Sequence, residues 1–210
     1  MHEYTVVDHP RRQIYFFLAI FSSSISGVIS TYIHKWEYIS FPVSSITIFG
    51  LLYLLLNHVI WKLKTFRKIY NFPNIEGEWD LNGLSKNSAQ GKEYNWEGTI
   101  TIKQTWDRVL ITLKTKNSSS KSLSITGGIK HFPGDGYRLS YHYQNNTNAT
   151  ADSDMRNHEG FCVLTFSEDQ QTAEGYYFNN NKDRQSHGEM CLIRREKDGK
   201  AKLSETTRSA

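Results

Sequence analysis

The sequence predicts a membrane-anchored all-β protein, in which two N-terminal transmembrane helices precede a cytosolic eight-stranded antiparallel (lipocalin-like) β-barrel. Two long apolar segments without a charged side chain lie near the start of the 210-residue chain. From residue 75 onwards apolar and polar residues alternate, which is the pattern of strands with one buried face. Polar turns separate these strands and no helical pattern interrupts them, so we expect antiparallel neighbours.

The change in pattern divides the chain into five segments. We expect a cytoplasmic N-terminal tail over residues 1–12, a two-transmembrane hairpin over 13–61, a basic linker over 62–74, the barrel over 75–195 and a flexible tail over 196–210. The excess positive charge belongs to the membrane flanks and the tail, whereas the barrel has slightly more acidic than basic residues. DNA or RNA is therefore not expected as its partner.

The two apolar segments, residues 13–33 and 41–61, contain no Asp, Glu, Lys or Arg. As helices they would each be long enough to cross a hydrocarbon core of about 30 Å. The alternatives are a signal peptide for the first segment, or a pair of buried core helices. A signal peptide fits poorly, because no clear cleavage site follows and a second apolar segment comes at once.

The flanking charges predict the orientation of the hairpin. Arg11 and Arg12 precede the first segment and four basic residues follow the second, whereas the short loop between them has one Lys and one Glu. By the positive-inside rule both termini, and with them the barrel, are expected in the cytoplasm.

Small residues recur every four positions along the first helix, a spacing that lets helices approach closely in lipid. Either these rows pack within the hairpin, or hairpins of several protomers pack together; both interpretations stay open. One row is Ser22, Ser26 and Ser30, and the other is Ser23, Gly27 and Thr31.

Eight alternating segments predict the barrel. Closing them as an up-and-down barrel removes the unpaired sheet edges, and a two-sheet sandwich is the alternative. Glycines in the strands would allow the kinks that coiled strands need. The segments are IEGEWDL, EYNWEGTITIKQ, RVLITLKTK, SLSITGGIKHF, GYRLSYHYQ, GFCVLTFS, AEGYYF and GEMCLIRR.

The predicted inward face of the barrel is rich in tyrosine, and an eight-stranded barrel is either filled or holds one small ligand. Tyr141, Tyr143 and Tyr177 carry hydroxyls that need partners when buried. Arg184 and Ser186 continue the inward phase of the last strand. A nucleotide would suit such a site, because the rings could stack on its base and the arginine could donate two hydrogen bonds to its phosphate. The alternative is a filled core with the hydroxyls at the mouth and Arg184 in solvent.

No catalytic motif stands out. The chain has no HExxH, CxxC, phosphate-loop or Gly-x-Ser-x-Gly pattern, and Cys162 and Cys191 lack the spacing of zinc ligands. We expect no catalytic residue, no metal and no cofactor, although a barrel can bring a catalytic pair together from distant strands, so an enzyme stays an alternative.

Two transmembrane helices followed directly by such a barrel resemble the two-transmembrane β-barrel effectors of CBASS, bacterial antiphage systems that signal with cyclic oligonucleotides. The resemblance rests on this order of segments and on three stretches: IEGEW (75–79), LSYHYQNN (139–146) and EGYYFNNNKDRQSHGEMCLIRR (174–195).

The resemblance implies an antiphage effector of the bacterial inner membrane. A cognate nucleotidyltransferase would make a cyclic dinucleotide, the barrel would bind it, and the hairpins would form a homo-oligomer that disrupts membrane lipid in abortive infection. By position it implies stacking or hydrogen bonding by Tyr141, Tyr143 and Tyr177, with Arg184 and Ser186 toward phosphate. Trp79 and Trp96 are expected at the barrel floor or in the pocket.

Two other functions stay open. One is a constitutive membrane-anchored barrel that binds a lipid or another apolar ligand, for which a buried cation would be unnecessary. The other is an interaction module with a solid barrel, which would bind no small ligand.

Overall fold

The computed structural model describes residues 1–33, 44–87, 92–116, 121–146, 158–181 and 184–196. They form two compact units. The helical unit takes in residues 8–72 and 105–107, and the strand unit takes in residues 1–7, 73–104 and those from 108 onwards. Most of the predicted C-terminal tail and the loop between the two apolar segments lie outside the described residues.

The helical unit begins with α1 (Arg11–Ile33) and α2 (Ser45–His58), followed by a 3-10 turn (Ile60–Lys62) and α3 (Lys64–Tyr70). Two stretches are long and apolar enough to cross a membrane, Arg11–Ile33 and Ser45–Lys62, as the sequence predicted. The segment expected to be a linker contains α3, and the residue that follows α3, Asn71, has the left-handed conformation that ends many helices.

The two rows of small residues on α1 have different surroundings. Ser22 and Ser26 are buried where α1 packs along α2, at 2% and 9% exposure. Ser23 and Gly27 are exposed, and a Cβ built on Gly27 would meet no described atom within 4 Å. Two members of the first row are therefore buried and its third, Ser30, is half-buried, whereas the second row is exposed. The packing of these rows between hairpins stays a prediction.

A polar cluster in the helical unit surrounds residues 105–107. Trp106 is fully buried and donates its indole N–H to His9 Nε2 at 2.9 Å. Asp107 accepts the Tyr53 hydroxyl, and its backbone N–H donates to Asn57 Oδ1 at 3.3 Å. Burial, and then the charge of Arg11, lower the pKa of His9 to about 4, so its ring is neutral at physiological pH.

The strand unit is a closed barrel of eight long antiparallel strands with one short addition, and the predicted eight strands are confirmed. The pairing of the first long strand with the last closes the ring and excludes the sandwich. The strands are β1 (His2–Val6), β2 (Gly77–Asn87), β3 (Lys92–Gln104), β4 (Arg108–Thr115), β5 (Lys121–Phe132), β6 (Gly136–Asn146), β7 (His158–Phe166), β8 (Thr172–Asn181) and β9 (Arg184–Arg194).

The short strand β1 lies within the segment that the sequence analysis assigned to an N-terminal tail. It runs between β4 and β5, antiparallel to the former and parallel to the latter. β4 and β5 pair directly at only three positions, from Thr112↔Leu123 to Lys114↔Lys121. Beyond a bulge between Ser124 and Thr126 their edges separate, and β1 covers the backbone groups left unpaired there.

One end of the barrel is packed solid around Trp79. This side chain has no exposed surface, donates to the Ile75 carbonyl at 3.1 Å and meets Phe166 edge-on at 4.9 Å between ring centroids. The guanidinium of Arg194 lies 5.3 Å from the Trp79 ring centroid. The filled-core alternative therefore describes this end of the barrel only.

Candidate ligand cavity

The other end of the barrel is hollow. It contains a partly open cavity of about 380 Å³, within the size range of small-ligand pockets. Every one of the eight long strands contributes to the lining, because alternate residues of each strand point inward.

Most of the sequence-predicted ligand residues line this one cavity: Tyr141, Tyr143, Tyr177, Ser186 and Trp96. They come from four different strands, so the barrel brings together residues far apart in the chain.

Two predicted site residues are placed differently. Trp79 belongs to the packed end and is absent from the described cavity lining. Arg184 is the first residue of β9 and pairs through its backbone with Asn181. Its side chain lies outside the described residues, so its contact with phosphate stays a prediction.

Each of four cavity rings stands directly opposite a glycine on the neighbouring strand. At three of the four glycines a side chain would collide with the ring itself: a Cβ on Gly188 would lie 2.7 Å from Tyr177 Cε1, and one on Gly83 would lie 2.6 Å from Trp96 Nε1. At Gly127 a Cβ would instead meet the Ser140 carbonyl oxygen at 2.9 Å and Tyr141 Cβ at 3.0 Å. The glycines thus leave room for rings to lie across the wall. The pairs are Trp96 with Gly83, Tyr141 with Gly127, Tyr143 with Gly160, and Tyr177 with Gly188.

Hydrogen bonds hold the polar cavity side chains in place. The Tyr143 hydroxyl donates to Asn179 Oδ1 at 3.0 Å, and Asn179 Nδ2 donates to Ser186 Oγ at 2.9 Å. The hydroxyls of Ser85 on β2 and Tyr177 on β8 are hydrogen-bonded to each other. They meet over Gly188 of β9, which pairs with both residues. These bonds give the buried hydroxyls the partners that burial demands and fix their directions.

Two cavity donors have no partner. Trp96 Nε1 and Thr115 Oγ1 are buried and make no hydrogen bond to any atom of the described chain, and both residues line the cavity. Leaving a buried donor unsatisfied costs on the order of 1–3 kcal/mol.

Two family models match this chain. Residues 70–194 match the family model described as "Cap15, cyclic dinucleotide receptor domain", and residues 12–62 match the one described as "Cap15, TM helices". The chain belongs to the Cap15 family. The resemblance to two-transmembrane CBASS effectors is thereby confirmed at the level of the family.

A curated Cap15 relative supports the assignment. "CD-NTase-associated protein 15" of Yersinia aleksiciae is 36% identical over 143 residues, which cover 68% of this chain and 65% of the relative. The match thus spans just under two thirds of the relative's length.

Burial keeps the thiol and the tyrosine hydroxyls in the cavity of this Cap15 barrel protonated. Burial raises the pKa of Cys162 to about 12, and burial followed by the neighbouring Cys162 raises the pKa values of Tyr141 and Tyr143. The tyrosines therefore offer hydroxyls rather than phenolates. Among the described lining residues Glu97 is the only acidic or basic one besides His158, and Glu97 pairs with Lys116.

Sequence reasoning missed several residues of the cavity, including Thr115, Asn179 and Ser124. Thr115 ends β4 beside a polar turn, and Asn179 lies in the run of asparagines that the sequence analysis treated as a turn. The available signal was the strand register: aligning neighbouring strands at their turns sets four of the cavity rings opposite a glycine.

Proposed function

We propose that the barrel is the cytosolic receptor for a cyclic dinucleotide, and that the bound ligand drives the transmembrane hairpins to assemble and to disrupt the bacterial inner membrane. The observation that carries this proposal is the cavity of aromatic rings and fixed hydroxyl and amide groups, two of whose donors lack a partner. Rings stack on bases, and neutral donors together with Arg184 would bind the phosphodiesters.

The hairpin supports the output step. The outward row of Ser23, Gly27 and Thr31 leaves one face of α1 free for close approach to another hairpin. The positive charges at both cytoplasmic flanks favour an orientation in which the barrel meets a ligand made in the cytosol by a nucleotidyltransferase.

Calorimetric titration of the full chain in lipid nanodiscs, against a panel of cyclic dinucleotides, tests the proposal. We expect submicromolar binding of one member and a loss of about tenfold or more in Arg184→Ala, because a charged hydrogen bond is removed. Arg138→Ala is the matched control, since that side chain is 45% exposed and pairs with Asp135.

The outcomes separate the candidate functions. Equal binding of a cyclic dinucleotide by Arg184→Ala and the unmodified chain would contradict the role of Arg184 and leave the receptor function standing. No binding across the panel would refute the receptor for these ligands.

A further inference from the structure

We propose that strand β1 is part of the ligand receptor, and that His2 positions the cavity hydroxyl of Ser124. The inference rests on the proposed receptor function but goes beyond the family match, whose receptor domain begins at residue 70 and leaves β1 outside. The N-terminal strand and the cavity meet at one hydrogen bond, between His2 Nε2 and Ser124 Oγ at 2.8 Å.

Ser124 lies where the barrel wall divides. It is 6% exposed, lines the cavity, and precedes the bulge at which β5 leaves β4 and turns to β1. Its Oγ also accepts the backbone N–H of Ile111 at 2.9 Å. The side chain is therefore held from two directions, by β4 and by β1.

The chemistry of His2 sets what Ser124 offers to a ligand. His2 Nδ1 lies 2.9 Å from the carbonyl oxygen of Glu3, and a carbonyl only accepts, so Nδ1 carries the hydrogen. In the neutral ring Nε2 is then an acceptor, and Ser124 donates its hydroxyl hydrogen to it. Because Ser124 Oγ already accepts from Ile111, a lone pair is left for the cavity. It suits a base N–H or a ribose hydroxyl, not a phosphate oxygen.

β1 is well anchored in the wall. Tyr4 and Val6 are 3% and 6% exposed. The Tyr4 hydroxyl accepts from Gln104 Nε2 at 2.9 Å, and the N–H of Val7 donates to the Ile129 carbonyl at 2.8 Å. These contacts hold His2 in reach of Ser124.

A thermodynamic cycle on the full chain in nanodiscs tests the positioning role, with the cyclic dinucleotide that the unmodified chain binds as the probe. We expect His2→Ala to weaken binding about fivefold, the usual effect of one hydrogen bond. His2→Gln, which keeps an acceptor, should recover most of it. Glu3→Ala, at an exposed position of the same strand, is the control and should bind like the unmodified chain.

The cycle separates positioning from general stability. In a Ser124→Ala background His2→Ala should change the dissociation constant by less than about twofold, because the two residues act through one contact. Equal effects of His2→Ala in both backgrounds would overturn the inference, and so would unchanged binding by His2→Ala itself.

A crosslink tests whether β1 stays in the wall of the bound receptor. A Cβ on Gly128 would lie 3.9 Å from Thr5 Cβ, a separation that suits a disulfide. Thr5→Cys with Gly128→Cys, in a Cys191→Ser background, should form the bond on oxidation without ligand and leave the affinity within about twofold. Failure to form it, or binding lost on oxidation and restored by reduction, would contradict the inference.

The positioning role of His2 and the receptor function of the barrel are refuted by different results. If the unmodified chain binds and His2→Ala binds equally well, only the positioning role is refuted. If the unmodified chain binds no cyclic dinucleotide, the receptor function is refuted and the positioning role falls with it.

Discussion

Replacing Gly83 by alanine should displace the Trp96 ring of the cavity. The three described atoms closest to a Cβ built at Gly83 all belong to the Trp96 indole, with Nε1 and Cζ2 each at 2.6 Å. Carbon atoms in contact are separated by about 3.5 Å or more, so the ring must move by about 1 Å. The displaced indole would no longer lie over Gly83 of β2, and it would lose its edge-on contact with the Tyr177 ring.

The expected effect has two parts. Overpacking of this kind costs about 1–3 kcal/mol of stability, which lowers the Tm of a chain of this size by about 2–10 °C. Loss of one stacking platform, worth about 1–3 kcal/mol per base, should weaken ligand binding by about tenfold. Thermal unfolding and calorimetric titration of the full chain measure the two parts separately.

Two variants make this prediction specific. Gly128→Ala is the matched control, because its Cβ would meet only Thr5 at 3.4 Å and beyond, and it should keep both Tm and affinity. In a Trp96→Leu background Gly83→Ala should cost little stability, since the colliding ring is gone. A Gly83→Ala chain with unchanged Tm and affinity would refute the packing of the Trp96 ring against Gly83.

Three further predictions follow from the structure. Thr115→Val removes a buried hydroxyl without a described partner. Thermal unfolding of the variant without ligand should show equal or higher stability, and titration should show about fivefold weaker binding. Lower stability without ligand would contradict this prediction. Gly27→Ile fills the exposed row of α1 and should abolish ligand-induced dye release from liposomes without weakening ligand binding. Thr31 lies about one turn further along the same row, so it cannot serve as a control. Tyr32→Ile, at another exposed position of α1, is the control that should still release dye. For His9, the folded pKa of about 4 lies below the ordinary value of 6.5, so the unfolded state binds the proton first and stability should fall as the pH drops from about 6.5 to about 4; an unchanged pH profile in His9→Phe would contradict this.

The main elements of the fold were predictable because each follows from a local pattern. Charge-free apolar segments predict the helices, and strict alternation predicts the eight long strands. The same alternation placed Tyr141, Tyr143 and Tyr177 on the inward face, where they line the cavity. What it could not tell is which end of the barrel is hollow, because Trp79 and Trp96 share the inward phase although only Trp96 lines the cavity.

The rest depends on contacts between distant parts of the chain. Strand β1 has only five residues, and its alternation reduces to Tyr4 and Val6. Its partners on β4 and β5 lie more than a hundred residues away, and the gap it fills arises from a bulge in β5 that no local pattern marks. Thr115 was missed for a similar reason, since its burial comes from the closed barrel.

The most direct test of the central claim is the calorimetric titration of the unmodified full chain, in nanodiscs, against the cyclic dinucleotide panel, repeated with Gly83→Ala. We expect one member to bind with a submicromolar dissociation constant and one site per chain, and to bind about tenfold more weakly to the variant. No heat of binding for any member, or binding that the change in the cavity wall leaves untouched, would contradict the assignment of this cavity as the receptor site.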